Sequence, residues 1–186
     1  MNYYIDIRIL PDPEFATPSI MSVLFGRFHN ALVLLNSDDI GVSFPESTQG
    51  PTLGAKMRIH GSEQMLRRLE QTNWLDPIKS YIKANEISAI PADCRHRVVR
   101  RVQTKSNPER LRRRLMKRKG ISEEEARKAI PDNAAKFSDL PYVRLKSGST
   151  EQQFQLFIEQ QEVRTESAPG TFSRYGLSQT ATIPWF

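Results

Sequence analysis

Twice before residue 94 the chain runs strand, helix, strand, and that order restricts the folds open to it. Residues 3–10 alternate, with Tyr3, Ile5, Ile7 and Ile9 on one face and Asp6 and Arg8 on the other, the period of a half-buried strand. After the loop P-D-P-E-F-A-T-P, residues 18–35 set Ile20, Val23, Leu24, Phe28, Ala31, Leu32 and Leu35 near one face of a helix. The stretch I-G-V-S-F-P reads as a short strand, S-T-Q-G-P-T-L-G as a loop, and K-M-R-I-H-G as a strand ending at a turn. Ser62 stands where a second helix needs a cap, with Met65, Leu66 and Leu69 inward. A broken helical piece runs from Trp74 to Ile82, and I-S-A-I-P closes this part. The sequence therefore predicts the split βαβ pattern of a ferredoxin-like domain over residues 1–93, within an α+β chain.

Charge divides the chain differently. Arg95–Lys128 carries about 14 Lys/Arg against about 4 Asp/Glu, so the rest of a chain whose formal net charge is +6 is near neutral to slightly acidic. One cationic segment on such a body points to a polyanion, a nucleic acid above all. The segment is also punctuated as a helix. Asn107 can cap it, Pro108 suits its first position and Gly120 its left-handed end. Leu111 and Leu115 share a face with Met116 as a narrow apolar anchor; Arg110, Arg114 and Arg118 form a second row, with Arg113 and Lys117 beside it. A solvated charged helix is the plain alternative. It is disfavoured because the single acid Glu109 cannot neutralise the run, and like charge held on one short helix costs stability.

The residues around this helix complete a second expected domain, 94–186. The run R-V-V-R-R-V-Q-T-K before it alternates, placing Arg101 and Gln103 on one side of a strand. The run S-E-E-E-A-R-K-A-I after it opens with a capping box, Ser122 to Glu125, and Pro131 stops it. The last third reads as three strands: Y-V-R-L-K-S, F-Q-L-F-I-E and F-S-R-Y-G-L-S. Cys94 is the single cysteine, so no internal disulfide forms. No apolar run approaches a membrane span, and the start M-N-Y-Y-I-D-I-R is not a signal peptide. A cytosolic protein without membrane association is expected. His29, His60, His96 and Cys94 show no short ligand spacing, so no metal or other cofactor is expected.

The order M-S-V-L-F-G-R-F-H, I-G-V-S-F-P, R-V-Q-T-K-S-N-P-E-R-L-R-R-R-L-M-K-R, S-E-E-E-A-R-K and Y-G-L-S near a P-W-F end resembles one family from Tyr4 to Phe186. It is similar to the CRISPR-associated endoribonucleases of type I-F systems, which cut precursor CRISPR RNA within each repeat. The resemblance implies a ferredoxin-like domain followed by an RNA-recognition domain carrying the arginine-rich helix. It implies metal-independent cleavage at the base of the repeat hairpin. The upstream 2′-hydroxyl attacks, leaving a cyclic phosphate and a 5′-hydroxyl. It also implies that the protein stays on the mature guide RNA and joins the other subunits of the surveillance complex. By the same resemblance His29, Ser147 and Tyr175 are the catalytic positions. Arg101 and Gln103 read the bottom of the stem, Phe154 stacks on its terminal base pair, and Arg113, Arg114, Lys117 and Arg118 grip the hairpin. Lys117 and Lys119 depart from a cluster where arginine is common, and lysine lacks the bidentate fork.

Taken singly, several of these residues have plainer readings. His29 lies one turn after Phe25 at the edge of the apolar face, where a histidine is ordinarily a packed residue; His60 and His96 keep that assignment. Histidine is nevertheless the natural base near neutral pH. Ser147 before Gly148 reads as a turn residue, suited to positioning a ribose. Tyr175 before Gly176 reads as a packed aromatic whose phenol can orient His29. Phe154 shares a strand face with Leu156 and Ile158, a core position that also suits stacking. Arg101 and Gln103 have planar side chains matched to base edges. The deep groove of A-form RNA admits a helix only where a closing loop or a short stem opens it, so the cationic helix predicts a short hairpin. Two rival functions remain at this stage: a non-catalytic RNA-hairpin-binding protein of a ribonucleoprotein complex, and a DNA-binding regulator, for which the sequence offers no helix-turn-helix pair.

Overall fold

A computed structural model describes residues 1–47, 52–103, 108–131, 139–148 and 151–186, and the backbone alone of Arg110. The expected cap Asn107 and the middle of the loop at 46–54 lie outside the described residues. The alternating N-terminus is β1 (Tyr3–Ile9), with Ile5, Ile7 and Ile9 buried. The first helix, α1, spans Thr17–Leu35 and ends at Asn36 in a left-handed conformation. There follow β2 (Gly41–Ser43), β3 (Lys56–Gly61), α2 (Glu63–Glu70), a 3-10 helix (Asp76–Tyr81), β4 (Ile82–Ala84) and β5 (Ser88–Ala89). Ser62 caps α2 as expected, accepting from the Met65 N–H at 3.2 Å. These strands form a sheet in the order β2-β3-β1-β4, with β5 beside β1. Because β3 lies antiparallel to both β1 and β2, those two run parallel and α1 is their crossover.

The second sheet has the order β7-β8-β6-β9, from β6 (Arg95–Val102), β7 (Tyr142–Lys146), β8 (Gln153–Gln160) and β9 (Thr182–Trp185). Its neighbours are all antiparallel. Val102, the last residue of β6, and Tyr142, the first of β7, both pair with Phe157 of β8 from opposite sides. Two sequence expectations change here. F-S-R-Y-G-L-S forms a turn rather than a strand, because Gly176 adopts φ +69° and reverses the chain. The final strand is instead β9, which contains Pro184 and therefore sits at the sheet edge, where a missing N–H breaks no ladder.

The chain divides into two compact units. One comprises Met1–Val102 with Leu140–Phe186; the other is Gln103–Asp139. Both sheets, which fall on either side of residue 93, belong to the first unit. They share one apolar core with α1, joined by Ile7, Phe28, Ile59, Val99, Leu156 and Ile183. Gln160 of β8 ties the sheets by bonding both backbone groups of Phe44, at 2.9 and 3.0 Å. By length and composition alone α1 passes for a membrane-crossing helix, contrary to the expectation that no run comes close. Its Ile20, Met21, Leu24, Phe25, Phe28, Ala31 and Leu32 are buried in this core, while Val23, expected inward, lies 52% exposed.

The second unit holds α3 (Pro108–Lys119) and α4 (Glu123–Ala129). The Ser122–Glu125 capping box is formed on both sides. Gly120 ends α3 at φ +65°, its N–H bonding the Met116 carbonyl at 2.8 Å. Half-buried Leu111 and Leu115 line a cavity of about 370 Å³ with Arg114, Arg118 and Ile130.

Candidate functional site

In the first unit one turn of backbone meets one side of α1. Phe25 and His29 are four apart on the helix and so stack along one face. Tyr175 covers both rings. Its centroid lies 4.0 Å from that of His29 with 14° between planes, and 6.3 Å from that of Phe25 with 8°. Such stacked rings contribute about 0.5–1.5 kcal/mol beyond burial. The contact of Tyr175 with His29 is face to face. The hydrogen-bond partner of His29 is the neighbouring Arg174 carbonyl, 2.8 Å from Nδ1, where the sequence reading expected the Tyr175 phenol. A carbonyl only accepts, so Nδ1 carries the hydrogen and the neutral ring keeps its lone pair on Nε2.

The 172–177 turn that delivers these groups is fastened to its surroundings at several points. Phe172 N–H bonds the Asp38 carbonyl at 2.7 Å, and Val42 N–H bonds the Gly176 carbonyl at 3.0 Å. Gly176 N–H closes the turn onto the Ser173 carbonyl at 2.8 Å. A side chain at Gly176 would sit 2.8 Å from Cε1 of Phe28, so only glycine fits.

Arg101 of β6 faces the same cluster. Its guanidinium carbon lies 5.9 Å from the ring centres of both Phe154 and Tyr175, within cation–π range. Its Nε is buried, and among the described residues no acceptor reaches it. Alternation alone would turn Arg101 to solvent; instead it shares the inner face of β6 with Val99, and Phe154 packs against the core edge as its strand register predicts. Ser147 lies just past β7, two residues beyond Leu145, which is opposite Phe154 on β8 and in contact range of Gly26 on α1. Its backbone N–H bonds the Gln152 carbonyl and its carbonyl takes the Glu151 N–H, each at 2.9 Å. His29, Tyr175, Arg101 and Phe154 are thus brought together by direct contacts, and Ser147 stands at the end of the strand beside them.

The remaining expected residues lie in the second unit. Gln103 is exposed and one residue past the end of β6, not on the strand with Arg101. Arg113, Arg114, Lys117 and Arg118 are exposed on α3; Arg113 makes a 3.4 Å pair with Glu109, also exposed. The side chain of Arg110 lies outside the described residues. Arg112 differs from its neighbours. It is 7% exposed, and its Nε donates to the Ile130 carbonyl at the end of α4, 2.7 Å away. Composition could not separate it from the other arginines. Its position three before Leu115 and four before Met116 could have, since both place it toward the apolar edge.

His60 is the packed histidine that its sequence context predicts, fully buried with Nε2 2.9 Å from the Ser43 hydroxyl. Burial first, then the Arg58 charge, push its pKa down to about 3. Beside it Arg58 holds Asp6 through two bonds of 2.6 and 2.9 Å. Burial pushes the Asp6 carboxyl up, but the hydrogen bond and charge of Arg58, with Lys56, outweigh this and hold it below the ordinary value.

A family model described as CRISPR-associated protein (Cas_Csy4) matches residues 4–186. The chain belongs to this family. A CRISPR-associated endonuclease Cas6/Csy4 of Pseudomonas aeruginosa (strain UCBPP-PA14) is 49% identical over 187 residues, covering 100% of both chains. A protein of the same name from Escherichia coli (strain UTI89 / UPEC) is 44% identical over 186 residues, again covering 100% of both. A solved structure titled "An RAMP protein binding different RNA substrates" covers 98% of this chain and 99% of its own at 12% identity and a TM-score of 0.35.

Proposed function

We propose that this member of the Cas_Csy4 family is a metal-independent endoribonuclease that cuts precursor CRISPR RNA at the base of the repeat hairpin and remains on the mature guide RNA. Two full-length relatives are named as CRISPR-associated endonucleases, which supports the nuclease class. The observation that carries the chemistry is the His29 ring. With Nδ1–H spent on the Arg174 carbonyl and Tyr175 flat against one face, Nε2 is a lone pair in a fixed direction.

In this reading Nε2 takes the proton of the 2′-hydroxyl upstream of the cut. The freed oxygen attacks the adjacent phosphorus, the bond to the 5′-oxygen breaks, and that oxygen takes a proton from water to leave as a 5′-hydroxyl, while the His29 imidazolium returns its proton to the hydroxide so formed. The phosphate closes into a 2′,3′-cyclic ester. The nucleophile belongs to the substrate, so the reaction calls for alignment rather than for an activated water. Ser147 positions the attacking ribose. Arg101, with a buried Nε lacking an acceptor among the described residues and its charge near two rings, offers planar donors to the base of the stem, joined by Gln103. Phe154 stacks beneath the terminal base pair. Arg110, Arg113, Arg114, Lys117 and Arg118 grip the hairpin through phosphates and base edges.

The domain reading belongs to the same proposal. The order β2-β3-β1-β4 with α1 as crossover supports a ferredoxin-like domain over 1–93, and the sheet that follows supports an RNA-recognition domain over 94–186 into which α3 is built. The partners are the repeat hairpin, the guide RNA and the other subunits of the type I-F surveillance complex, in the cytoplasm.

The test is a hairpin carrying one 2′-deoxy substitution upstream of the cut, offered in the presence of a chelator. The parent hairpin should be cut under chelation and the substituted one bound with similar affinity but left whole. His29→Ala should bind as the parent does and cut about 100-fold more slowly or worse. Cleavage of the 2′-deoxy hairpin at the normal site would show hydrolysis by water and would falsify the mechanism. An intact parent hairpin at saturating protein would leave a binding protein in its place.

A further inference from the structure

Arg174 touches α1 at two places, and the catalytic reading uses neither its side chain nor its charge. Its carbonyl takes the Nδ1–H of His29 at 2.8 Å. Its guanidinium reaches the far end of the same helix, bonding the Ser37 carbonyl and the Asn36 side-chain oxygen. That end is itself fixed, since Asn36 is left-handed at φ 52° and Ser37 N–H bonds the Leu32 carbonyl at 3.2 Å. One residue therefore clasps both ends of the stretch from His29 to Ser37.

We propose that Arg174 is a positioning residue for His29: its side chain anchors the turn to the end of α1, so that its own carbonyl stays on Nδ1 and holds the ring in the tautomer with Nε2 free. The inference rests on the reading of His29 as the base. The physical need is plain. Neutral imidazole places its hydrogen on either nitrogen, and only one arrangement presents Nε2 as an acceptor. The Tyr175 stack fixes the ring's plane but not its tautomer, because a ring face does not distinguish the two nitrogens. The tautomer is set by the acceptor on Nδ1 alone. That acceptor is a backbone atom in an irregular turn, where no ladder holds it in place, and the anchor nearest to it in sequence is the guanidinium of the same residue.

The anchor also explains the type of side chain. Two acceptors, a main-chain carbonyl and an amide oxygen, diverge from the helix end, and a planar fork meets both where an ammonium meets them only by choosing a rotamer. Arg174→Lys should consequently keep part of the function and Arg174→Ala little.

The readout is nitrogen-15 NMR of the His29 ring in the RNA-free full-length protein, combined with single-turnover cleavage at saturating hairpin. In the parent the neutral ring should show Nδ1–H with an unprotonated Nε2. In Arg174→Ala the two nitrogens should move toward an averaged, mixed tautomer. Cleavage at saturation should fall about 10- to 100-fold, the cost expected when a reacting group is misplaced, while the dissociation constant stays within about threefold. Arg174→Lys should recover at least half of the lost tautomer signal. A ring that keeps Nδ1–H in Arg174→Ala overturns the proposal. So does a variant that loses affinity and salt dependence but cuts at the parental rate once saturated, since Arg174 would then be an RNA contact. His29→Ala, run alongside, separates the two layers. If it cuts at the parental rate, the base assignment is what failed, and the ring's tautomer still reports on the clasp.

Discussion

Gly176→Ala tests the geometry on which the site depends. The residue sits at φ +69°, and a β-carbon there would lie 2.8 Å from Cε1 and 3.1 Å from Cζ of Phe28, and 3.2 Å from Cγ1 of Val42. Two costs add. A non-glycine residue in the left-handed region costs about 1–2 kcal/mol. Overpacking adds about 1–3 kcal/mol, at the upper end here because Phe28 has no exposed surface and is hemmed in by Phe25 and Trp74, with centroids 6.2 and 5.8 Å away. The sum, about 2–5 kcal/mol, is a large share of the ordinary stability of a domain. At this chain length it corresponds to a fall in Tm of about 4–20 °C. Urea unfolding followed by tryptophan fluorescence suits the measurement, since Trp74 and Trp185 both lie in the first unit. Gly26→Ala is the contrasting control. Its β-carbon meets only Cδ2 of Leu145, at 3.5 Å, and the site is interior to α1. It should stabilise by about 0.5–1 kcal/mol. If Gly176→Ala lost under about 1 kcal/mol, the turn would be free to back away from Phe28, and the argument that it fixes Tyr175 and Arg174 against α1 would not stand.

Acid sensitivity follows from His60 and Asp6, two buried groups of the first sheet. His60 has its pKa pushed down to about 3 from an ordinary 6.5, so the unfolded chain takes a proton that the folded one refuses. The stability involved is intact above about pH 6.5 and drains as pH falls toward 3; Asp6, held below its ordinary 3.8, adds a further loss below about pH 4. His60→Gln should therefore flatten the fall of the urea midpoint between about pH 6.5 and 4, and an unchanged slope would contradict the assignment. Asp6→Ala leaves the 7%-exposed Arg58 without its carboxylate and should cost about 3–5 kcal/mol by the same assay. Within α3, Arg112→Ala should expose the second unit to limited proteolysis, because Nε holds the Ile130 carbonyl. Arg113→Ala should leave the unit resistant and lower the salt dependence of hairpin binding by about one phosphate. Equal proteolysis of the two would remove the distinction between them.

What could be read from the sequence was whatever rests on local periodicity and local punctuation. β1, α1, α2 and the α3–α4 pair follow from apolar spacing, from Ser62 and Ser122 as caps, and from Pro108 and Gly120 as ends, each an interaction within a few residues. F-S-R-Y-G-L-S reads as a strand because its aromatic residues favour one, while the close approach of Gly176 to Phe28, nearly 150 positions earlier, is a long-range contact. The Arg174 carbonyl on His29 was invisible for the same reason: a main-chain acceptor leaves no mark in the amino-acid alphabet. Val23 fits the helical stripe by its spacing, yet it lies 52% exposed at that edge of α1. Of the candidate site, the resemblance to a known family supplied the names of the residues. The contacts that hold the His29 ring came only from the long-range packing of one turn against one helix.

Val102 and Tyr142, which pair with the same residue of β8 from either side, have a further consequence. Strands in a sheet are spaced about 4.8 Å apart, so the two points where the chain leaves and re-enters the first unit are about 10 Å from each other. A linker of about three or four residues spans that gap. The arginine-bearing segment is thus a cassette let into a finished scaffold, and its departure and return ask nothing of the strands on either side. Insertions and deletions between these two neighbouring points leave the strand register on either side, and the contact of Arg174 with His29, unchanged. The same two points are the natural places to excise the segment or to replace it with another.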